Sequence, residues 1–332
     1  MIIPHAFVHG DFFMQIKEEI NMSANVETMF YTRTVPWHGL GTKVEEAPNS
    51  KEALIYAGLD WKVTQESITT VTGTEISGFK ANLRETDKRV LGIVSDRYQI
   101  VQNEEAFAFT DSLLGEGVTY ETAGSLANGK IVWILAKMPQ KYIISGDCID
   151  PYIVFSNTHD GSGAIRIAMT PVRVVCQNTL NLALKSAKRS WSAKHTGNVM
   201  NRLDEARQTL QLADTYMKHL GKSVDELNRK RLSDTKAIQL METLYPVTED
   251  MTKTQKKNSK KQLEQLKTCY FDAPDLRDVG KNAYRFINAV SDMAYHGEPL
   301  RKTPNYKENL FKRTMDGNPI VDKTYQMLQA IA

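Results

Sequence analysis

The 332-residue sequence has few cysteines and lacks the motifs of several common protein classes. Cys148, Cys176 and Cys269 are an odd number at wide spacing, which excludes a disulfide-stapled scaffold and a Cys-x-x-Cys zinc site. No apolar run reaches the roughly 18 residues that a membrane-spanning helix needs. Neither a Gly-x-Gly-x-x-Gly nor a Gly-x-x-x-x-Gly-Lys-Ser/Thr phosphate loop occurs, and His-Glu-x-x-His is also missing. We therefore expect a cytoplasmic protein without a membrane span, and no nucleotide or metal cofactor.

The charge is unevenly distributed along the chain, although the net charge is only +3. Residues 1–184 hold 15 basic and 21 acidic residues, whereas residues 185–332 hold 27 and 18. The basic second part predicts contact with a polyanion, or with the acidic part of a neighbouring subunit. A solvated, lysine-rich helical surface is the alternative interpretation.

The order of local patterns predicts an α+β fold. β-branched, alternating segments and an Asn-Gly turn fill the first part, with helices interspersed, and helical periodicity follows. We predict an antiparallel, strand-rich core domain over residues 30–196 and an all-helical region over residues 197–332. A further helix is expected to open at Pro171 and to run over residues 174–188.

Residues 1–29 are predicted to be a non-native or disordered leader. Lys17-Glu18-Glu19 would be encoded by a purine-rich run shortly before Met22, where a bacterial ribosome-binding site would lie. Met22 is therefore the expected start of the protein.

An apolar seam begins the helical region. Its members recur at alternating spacings of four and three, which is the a/d pattern of a heptad repeat. The seam predicts either a helix packed on its own domain or a contact in a homo-oligomer. It consists of Val199, Leu203, Ala206, Leu210, Ala213, Met217 and Leu220.

The densest polar run is residues 156–162, at a predicted hairpin tip. His159 and Asp160 suggest a metal site or a catalytic triad, but neighbouring residues on a strand point to opposite faces. Asn, Asp, Gly and Ser are also the residues of a tight turn, and such a loop can donate backbone N–H groups to a phosphate. Trp37-His38 is a second candidate, interpreted either as a stacking or ligating pair or as a structural plug.

Basic residues beside aromatic rings give the main nucleic-acid signal. Residues 185–195 carry four full positive charges and no acid around one tryptophan, which is the combination that neutralises phosphates and stacks on unpaired bases. Arg97 and Tyr98 form a similar pair between a strand and a helix, although a structural ion pair of Arg97 with Asp96 or Glu104 is the favoured interpretation there. The candidate DNA-binding residues are Arg97, Tyr98, Arg166, Arg173, Lys185, Lys188, Arg189, Trp191 and Lys194. In a second basic patch, near residues 253–267, every basic residue is a lysine and there is no aromatic residue. This patch is interpreted either as a phosphate-binding surface at best or as a solvated helical face.

Six sequence strings resemble the phage/plasmid-like protein family, a domain-of-unknown-function family of phages, plasmids and integrated elements. They are Val35-Pro-Trp-His-Gly-Leu-Gly41, Ser95-Asp-Arg-Tyr-Gln-Ile-Val-Gln-Asn-Glu104, Glu121-Thr-Ala-Gly-Ser-Leu126, Ser156-Asn-Thr-His-Asp-Gly-Ser162, Thr170-Pro-Val-Arg-Val-Val-Cys-Gln-Asn-Thr-Leu180 and His195-Thr-Gly-Asn198. The resemblance covers residues 30–327 and implies a genomic setting rather than a reaction. The family-motif residues of unknown role are Trp37, His38, Asn157, His159, Asp160 and Asn178.

The strand–strand–strand–helix order is also similar, at the level of fold, to the Rad/Red-beta/Erf type of single-strand annealing protein. That likeness implies an oligomer that binds single-stranded DNA, for annealing or protection, without nucleotide or metal. We therefore expect no catalytic residue, with single-stranded nucleic acid, further copies of the chain and host or phage replication proteins as partners. The alternatives are a metal-dependent nuclease acting through His38, His159 and Asp160, and an anti-defence protein that binds a host protein.

Overall fold

The described part of the chain contains two β-sheets, seven α-helices and two short 3₁₀ helices. The computed structural model describes residues 26–32, 42–46, 48–115, 119–138, 141–173, 178–179, 190–301, 303, 309, 313 and 316–331. The strands are β1 (Val26–Tyr31), β2 (Thr42–Lys43), β3 (Val63–Thr69), β4 (Glu75–Arg84), β5 (Val90–Ser95), β6 (Thr119–Leu126), β7 (Ile131–Lys137), β8 (Tyr142–Ile144), β9 (Asp147–Thr158), β10 (Ile165–Arg173), β11 (Asn178–Thr179) and β12 (Ser190–Ala193). The helices are α1 (Ser50–Tyr56), α2 (Asn103–Leu114), α3 (Leu203–Arg229), α4 (Asp234–Leu244), α5 (Lys253–Phe271), α6 (Ala283–His296) and α7 (Pro319–Gln329).

The large sheet has the strand order β11-β10-β9-β7-β6-β1-β2, with β12 beside β10 and β8 beside β9. Its pairs are antiparallel except β1 with β2. The β6–β7 hairpin turns at Ala127, Asn128 and Gly129, which all have positive φ (53°, 60° and 84°). Asn and Gly adopt this left-handed conformation at little cost, so the Asn-Gly pair sets the register of the hairpin.

The small sheet consists of β3, β4 and β5 in sequence order. It lies against the end of the β9–β10 hairpin, where a Cβ atom on Gly92 would come within 2.4 Å of the Asp160 Cα atom. A side chain at position 92 would therefore displace backbone rather than a flexible group. Glycine is required here because the two sheets touch through their main chains.

The core is continuous from the large sheet into the helices. Phe109 of α2 packs on Phe155 of β9 and on Trp191 of β12, with ring centroids 6.1 and 6.0 Å apart. In the helical part, α6 is buried almost throughout, including Phe286 and Ile287, and packs against α3, α5 and α7. The predicted α+β class is thus confirmed, with antiparallel strands first and helices later. Beyond residue 197 the described elements are helices, together with one isolated bridge between Arg231 and Asn282.

The helix predicted to open at Pro171 is wrong at its described positions. Pro171 lies inside β10 opposite Pro151, and residues 178–179 form β11. β10 pairs with β9 from Arg166 to Arg173, with β12 before Pro171 and with β11 after it. Pairing with neighbouring strands therefore places this proline inside a strand, although proline is usually found at strand ends and edges. The rest of the predicted segment, including Cys176, lies outside the described residues.

The predicted boundary of the leader is also corrected. β1 begins at Val26, and Met29 packs with Leu126 and Trp133 of the large sheet. Residues 26–29 therefore belong to the sheet, because β1 pairs with β6 through most of its length. The expected start at Met22 lies outside the described residues.

Candidate functional site: a polar joint and a lysine row

A buried polar cluster joins the small sheet to the large one. Three of the strings that carry the family resemblance, residues 95–104, 156–162 and 195–198, meet there although they are far apart in sequence. We call this cluster the polar joint; it consists of Asn82, Tyr98, Asn103, Asn157, His159 and His195.

His159 is fully buried at the end of β9, and its hydrogen bonds define its tautomer. Its Nε2 atom lies 3.0 Å from Oδ1 of Asn103, whose amide nitrogen donates to the carbonyl of Leu59 at 2.9 Å. The Asn103 oxygen must therefore accept, so Nε2 of His159 carries the hydrogen and Nδ1 has a lone pair. Burial, with a smaller contribution from His195, lowers the pKa of His159 to about 3. The imidazole is consequently neutral at physiological pH.

His195 follows β12 and has the complementary tautomer. Its Nδ1 atom lies 3.1 Å from the backbone carbonyl of Gln99, which can only accept, so Nδ1 donates and Nε2 has the lone pair. Burial lowers the pKa of His195, against opposing effects of the Gln99 carbonyl and Asp160. The ring of Tyr98 stacks on this imidazole at a centroid distance of 4.4 Å, and its hydroxyl donates to the carbonyl of Thr158 at 2.5 Å.

Two asparagines bind main-chain carbonyls across the joint. Asn82 of β4 donates to the carbonyl of His159 at 2.7 Å, and Asn157 donates to the carbonyl of Val101 at 3.0 Å. In the described part of the chain, Oδ1 of Asn157, Nδ1 of His159 and Nε2 of His195 are buried without a hydrogen-bond partner. The joint therefore contains three buried acceptor atoms and no donor to match them.

The hairpin tip beside the joint is built as a turn. Asp160 accepts a hydrogen bond from the backbone N–H of Ser162 at 2.9 Å, and Gly161 has a φ of +75°. His159 is buried, whereas Asp160 is half-buried and its carboxylate accepts a hydrogen bond from the turn, so the two side chains have different surroundings. Among the described residues, no group of three or more His, Cys, Asp or Glu side chains is arranged to hold a metal ion. His38, which the nuclease hypothesis also requires, and the neighbouring Trp37 lie outside the described residues.

The two aromatic residues predicted to stack on bases are both interior. Tyr98 is closed in by His195, and Trp191 is stacked on Phe109 with Arg202 over its ring at 5.5 Å. Neither ring offers an exposed face for a base in this structure. Their position corrects the stacking role and favours packing, because burial of a large aromatic surface stabilises the core.

The predicted phosphate-binding residues have different surroundings. Arg97 and Lys194 are exposed beside the joint, since they flank Tyr98 and His195. Arg166 is half-buried and pairs with Asp316, and the main chain of Arg173 pairs with Asn178 at the end of β10. Lys185, Lys188 and Arg189 lie outside the described residues.

α5 concentrates positive charge that sequence reasoning treated as a secondary patch. Its first nine residues contain five lysines and no acidic residue. Four of them are exposed and lie on one side of the helix, because spacings of three and four residues bring side chains into register. We call these four the lysine row: Lys253, Lys257, Lys260 and Lys261.

The members of the lysine row have few partners in the chain itself. In the described residues, Lys261 lies 3.7 Å from Glu298, whereas Lys253, Lys257 and Lys260 form no ion pair. Leu266 and Tyr270 are buried on the opposite side of α5, which fixes the row towards solvent. A signal for this row was present in the sequence, in the lysine density and its helical spacing.

The apolar seam of α3 lies within the chain's own core where it is described. Ala206, Met217 and Leu220 are buried, and α3 packs on α2, α6, β10 and β12. The side chains of the other four seam residues are outside the described part. The seam thus has a partner inside the protomer at its described positions.

Fold and site together define an α+β protein with two mainly antiparallel sheets joined through a buried polar cluster. Residues 90–315, more than half of the chain, match the family model described as "Domain of unknown function (DUF932)", and the chain belongs to this family. No curated protein and no solved structure matches the chain. In the described residues, every helix is too short or too polar to cross a membrane.

Proposed function

We propose that this chain binds single-stranded nucleic acid through the lysine row, as an oligomeric annealing or strand-protecting protein of a phage or mobile element. The observation that carries the proposal is the lysine row itself. It combines exposed positive charge, alignment on one helix side and a lack of intramolecular partners for Lys253, Lys257 and Lys260. Such a surface is the electrostatic signature of polyanion binding.

The dimensions of the row suit several consecutive phosphates. Lys253 and Lys260 are seven residues apart, which is about 10 Å along a helix at ~1.5 Å per residue. Flexible ammonium groups act as point charges and need no fixed phosphate geometry. The row therefore supports binding along a sugar–phosphate backbone rather than recognition of one phosphate group.

Because Tyr98 and Trp191 lie in the interior, base stacking on these rings is not expected to contribute to nucleic-acid affinity. Without exposed rings at these positions, most of the affinity would come from charge, with Arg97 and Lys194 as further exposed cations near the joint. Binding dominated by phosphate contacts is independent of sequence and falls steeply with salt. We therefore expect weak sequence preference and strong dependence on ionic strength.

Fluorescence anisotropy of a labelled single-stranded oligonucleotide tests the proposal, with the matching duplex as the comparison. We expect binding at low salt that weakens as salt rises, without cleavage of the oligonucleotide. Preference for the duplex would contradict the single-strand proposal, and absence of binding to both at low salt would contradict a nucleic-acid function. Annealing of complementary labelled strands is then the assay for the biological role.

A second function, binding of a protein partner, is favoured by one observation on the small sheet. Phe79 of β4 and Ile93 of β5 are 51% and 61% exposed, and the register places them on the same face. Exposed apolar residues that share a face are typical of interaction surfaces. A Phe79→Ser/Ile93→Ser variant should lower self-association or host-protein capture and leave oligonucleotide affinity unchanged. If it lowers only the oligonucleotide affinity, the face belongs to the nucleic-acid site.

A further inference from the structure

Strand β3 is an open edge of the small sheet. The strand order is β3-β4-β5, so β3 has a paired strand on one side only. On its other side, the N–H and C=O of Val63 bind the side-chain amide of Gln102, each at 2.9 Å. Main-chain groups alternate between the two sides of a strand, so those of Gln65 and Ser67 also face this edge. Among the described residues, they have no hydrogen-bond partner there.

The sequence of β3 has little of the protection that edge strands usually carry. Natural edges are commonly blocked by lysine, proline, bulges or a covering element. β3 contains no lysine, arginine or proline, and Glu66 is its one charged residue. Its register with β4 shifts beyond Ser67, but residues 75–80 of β4 lie opposite residues 67–69 of β3, so the extra residues belong to β4. β3 itself stays extended throughout and is accessible to a further strand.

A second copy of β3 fits this edge in one antiparallel register. A two-fold axis at Gln65 would bring Ser67 onto Val63 of the second copy, whose main-chain groups are already bound. An axis at Glu66 would place two carboxylates directly opposite each other, which destabilises a strand pair. An axis at Ser67 pairs this residue with itself and places Glu66 opposite Ile68, so like charges do not meet. Axes nearer the end of the strand would pair fewer residues, and the axis at Ser67 is therefore favoured.

We propose that β3 is a homodimer interface, in which two copies of the chain pair antiparallel about Ser67 and join their three-stranded small sheets into one sheet of six strands. A two-fold interface uses the same surface on both copies, so it requires a strand that is complementary to itself. The pairing supplies partners for the edge-facing main-chain groups of Gln65 and Ser67. Gln102 limits it at the start of the strand. The interface does not involve the lysine row, so it does not depend on the nucleic-acid proposal.

Opposite charges at position 67 test the register, because the two-fold axis places this position against itself. Ser67 is exposed and its hydroxyl donates to Glu75 at 2.8 Å on the surface, so substitution spares the core. Sedimentation velocity of the full chain without nucleic acid should show a dimer for the parent, and Ser67→Lys or Ser67→Asp should weaken it at least ~tenfold. An equimolar mixture of the two variants should restore the dimer. Ser95→Lys adds the same charge at an exposed position on β5 and, as the matched control, should leave dimerisation unchanged.

Amide hydrogen exchange of the unaltered protein gives a second test that needs no variant. The N–H groups of Gln65 and Ser67 should exchange slowly in concentrated samples and rapidly after dilution. The N–H of Glu66 faces β4 and should be protected in both samples, which makes it the internal control. A parent chain that remains monomeric, a dimer that forms equally well in Ser67→Lys, or a mixture of the charged variants that fails to dimerise would each refute the interface. Exchange at Ser67 that does not depend on concentration would refute it as well.

Discussion

Replacement of three lysines of α5 by glutamine tests the nucleic-acid proposal most directly. The variant Lys253→Gln/Lys257→Gln/Lys260→Gln removes three positive charges and keeps side chains of similar length and high helix propensity. These three lysines form no ion pair in the described residues, so their loss leaves no carboxylate without a partner. Any loss of affinity then reports contact with the ligand.

The expected magnitude follows from counterion release. Each phosphate contact on a single strand contributes about 0.7 to the slope of log K against log salt, so three contacts contribute about 2. At 0.1 M salt, one decade below the 1 M reference, the three lysines should therefore account for about a 100-fold change in affinity. This equals about 3 kcal/mol, since each tenfold change is about 1.4 kcal/mol.

The assay is fluorescence anisotropy at several salt concentrations, with a control of equal charge change. Lys43→Gln/Lys51→Gln/Lys62→Gln removes three exposed lysines from the strand-rich part. We expect the α5 variant to lose about 2 units of slope and the control to lose little. Equal losses in the two variants would mean that only net charge matters, and an unchanged slope in the α5 variant would remove the lysine row from the interface.

Three further predictions concern His159 of the joint, Gly92 at the contact between the sheets and Cys269 of α5. Burial lowers the pKa of His159 to about 3, so its contribution to stability should be fully present above pH ~7.5 and should fall by about 2 kcal/mol by pH 5, measured by urea unfolding. A His159→Gln variant that loses as much stability over the same range would refute this. Gly92→Ala should cost about 1–3 kcal/mol because its Cβ meets the main chain of Asp160. Gly221→Ala within α3, whose Cβ would make only ordinary van der Waals contact with the Ile144 side chain at 4.0 Å, should be neutral or stabilising, and thermal melts measure both variants. Burial raises the pKa of the Cys269 thiol to about 12, so alkylation near pH 8 should be far slower than for a model thiol, and rapid alkylation would show that α5 opens.

Local sequence signals were sufficient where an element is determined by its own residues. The predicted Asn-Gly turn lies at Asn128-Gly129, between β6 and β7, because these two residues adopt the conformation that a tight hairpin needs. The prediction at Pro171 failed because proline is a strong local signal for the start of a helix, whereas its position inside β10 depends on pairing with β9, β11 and β12. The seam of α3 has two interpretations in sequence, and only packing distinguishes them.

The sequence indicated the individual residues of the candidate site, but not which of them lie together in the fold. His159, His195 and Asn157 were each visible as polar residues in motifs, yet their partners are separated from them by 56 to 96 residues in sequence. Tyr98 and Trp191 lie among polar residues, which predicts exposure, whereas both rings pack inside. The lysine row was visible in sequence because helical spacing alone aligns its members, but its lack of partners required coordinates.

The lysine row lies in the first turns of α5, where its positive charges destabilise the helix rather than stabilise it. The N-terminal end of a helix is the positive end of its dipole, where a cation costs about 0.3–1 kcal/mol, and like charges four residues apart, such as Lys253 and Lys257, cost about 0.2–0.5 kcal/mol per pair. The helix forms nevertheless, because Thr252 caps it and Leu266 packs beneath it. A bound polyanion would relieve both costs at once, so the glutamine variant should be more stable than the parent without nucleic acid and less stabilised by it. Thermal melts with and without a single-stranded oligonucleotide measure both differences, and a variant that gains as much from the oligonucleotide as the parent does would refute the argument.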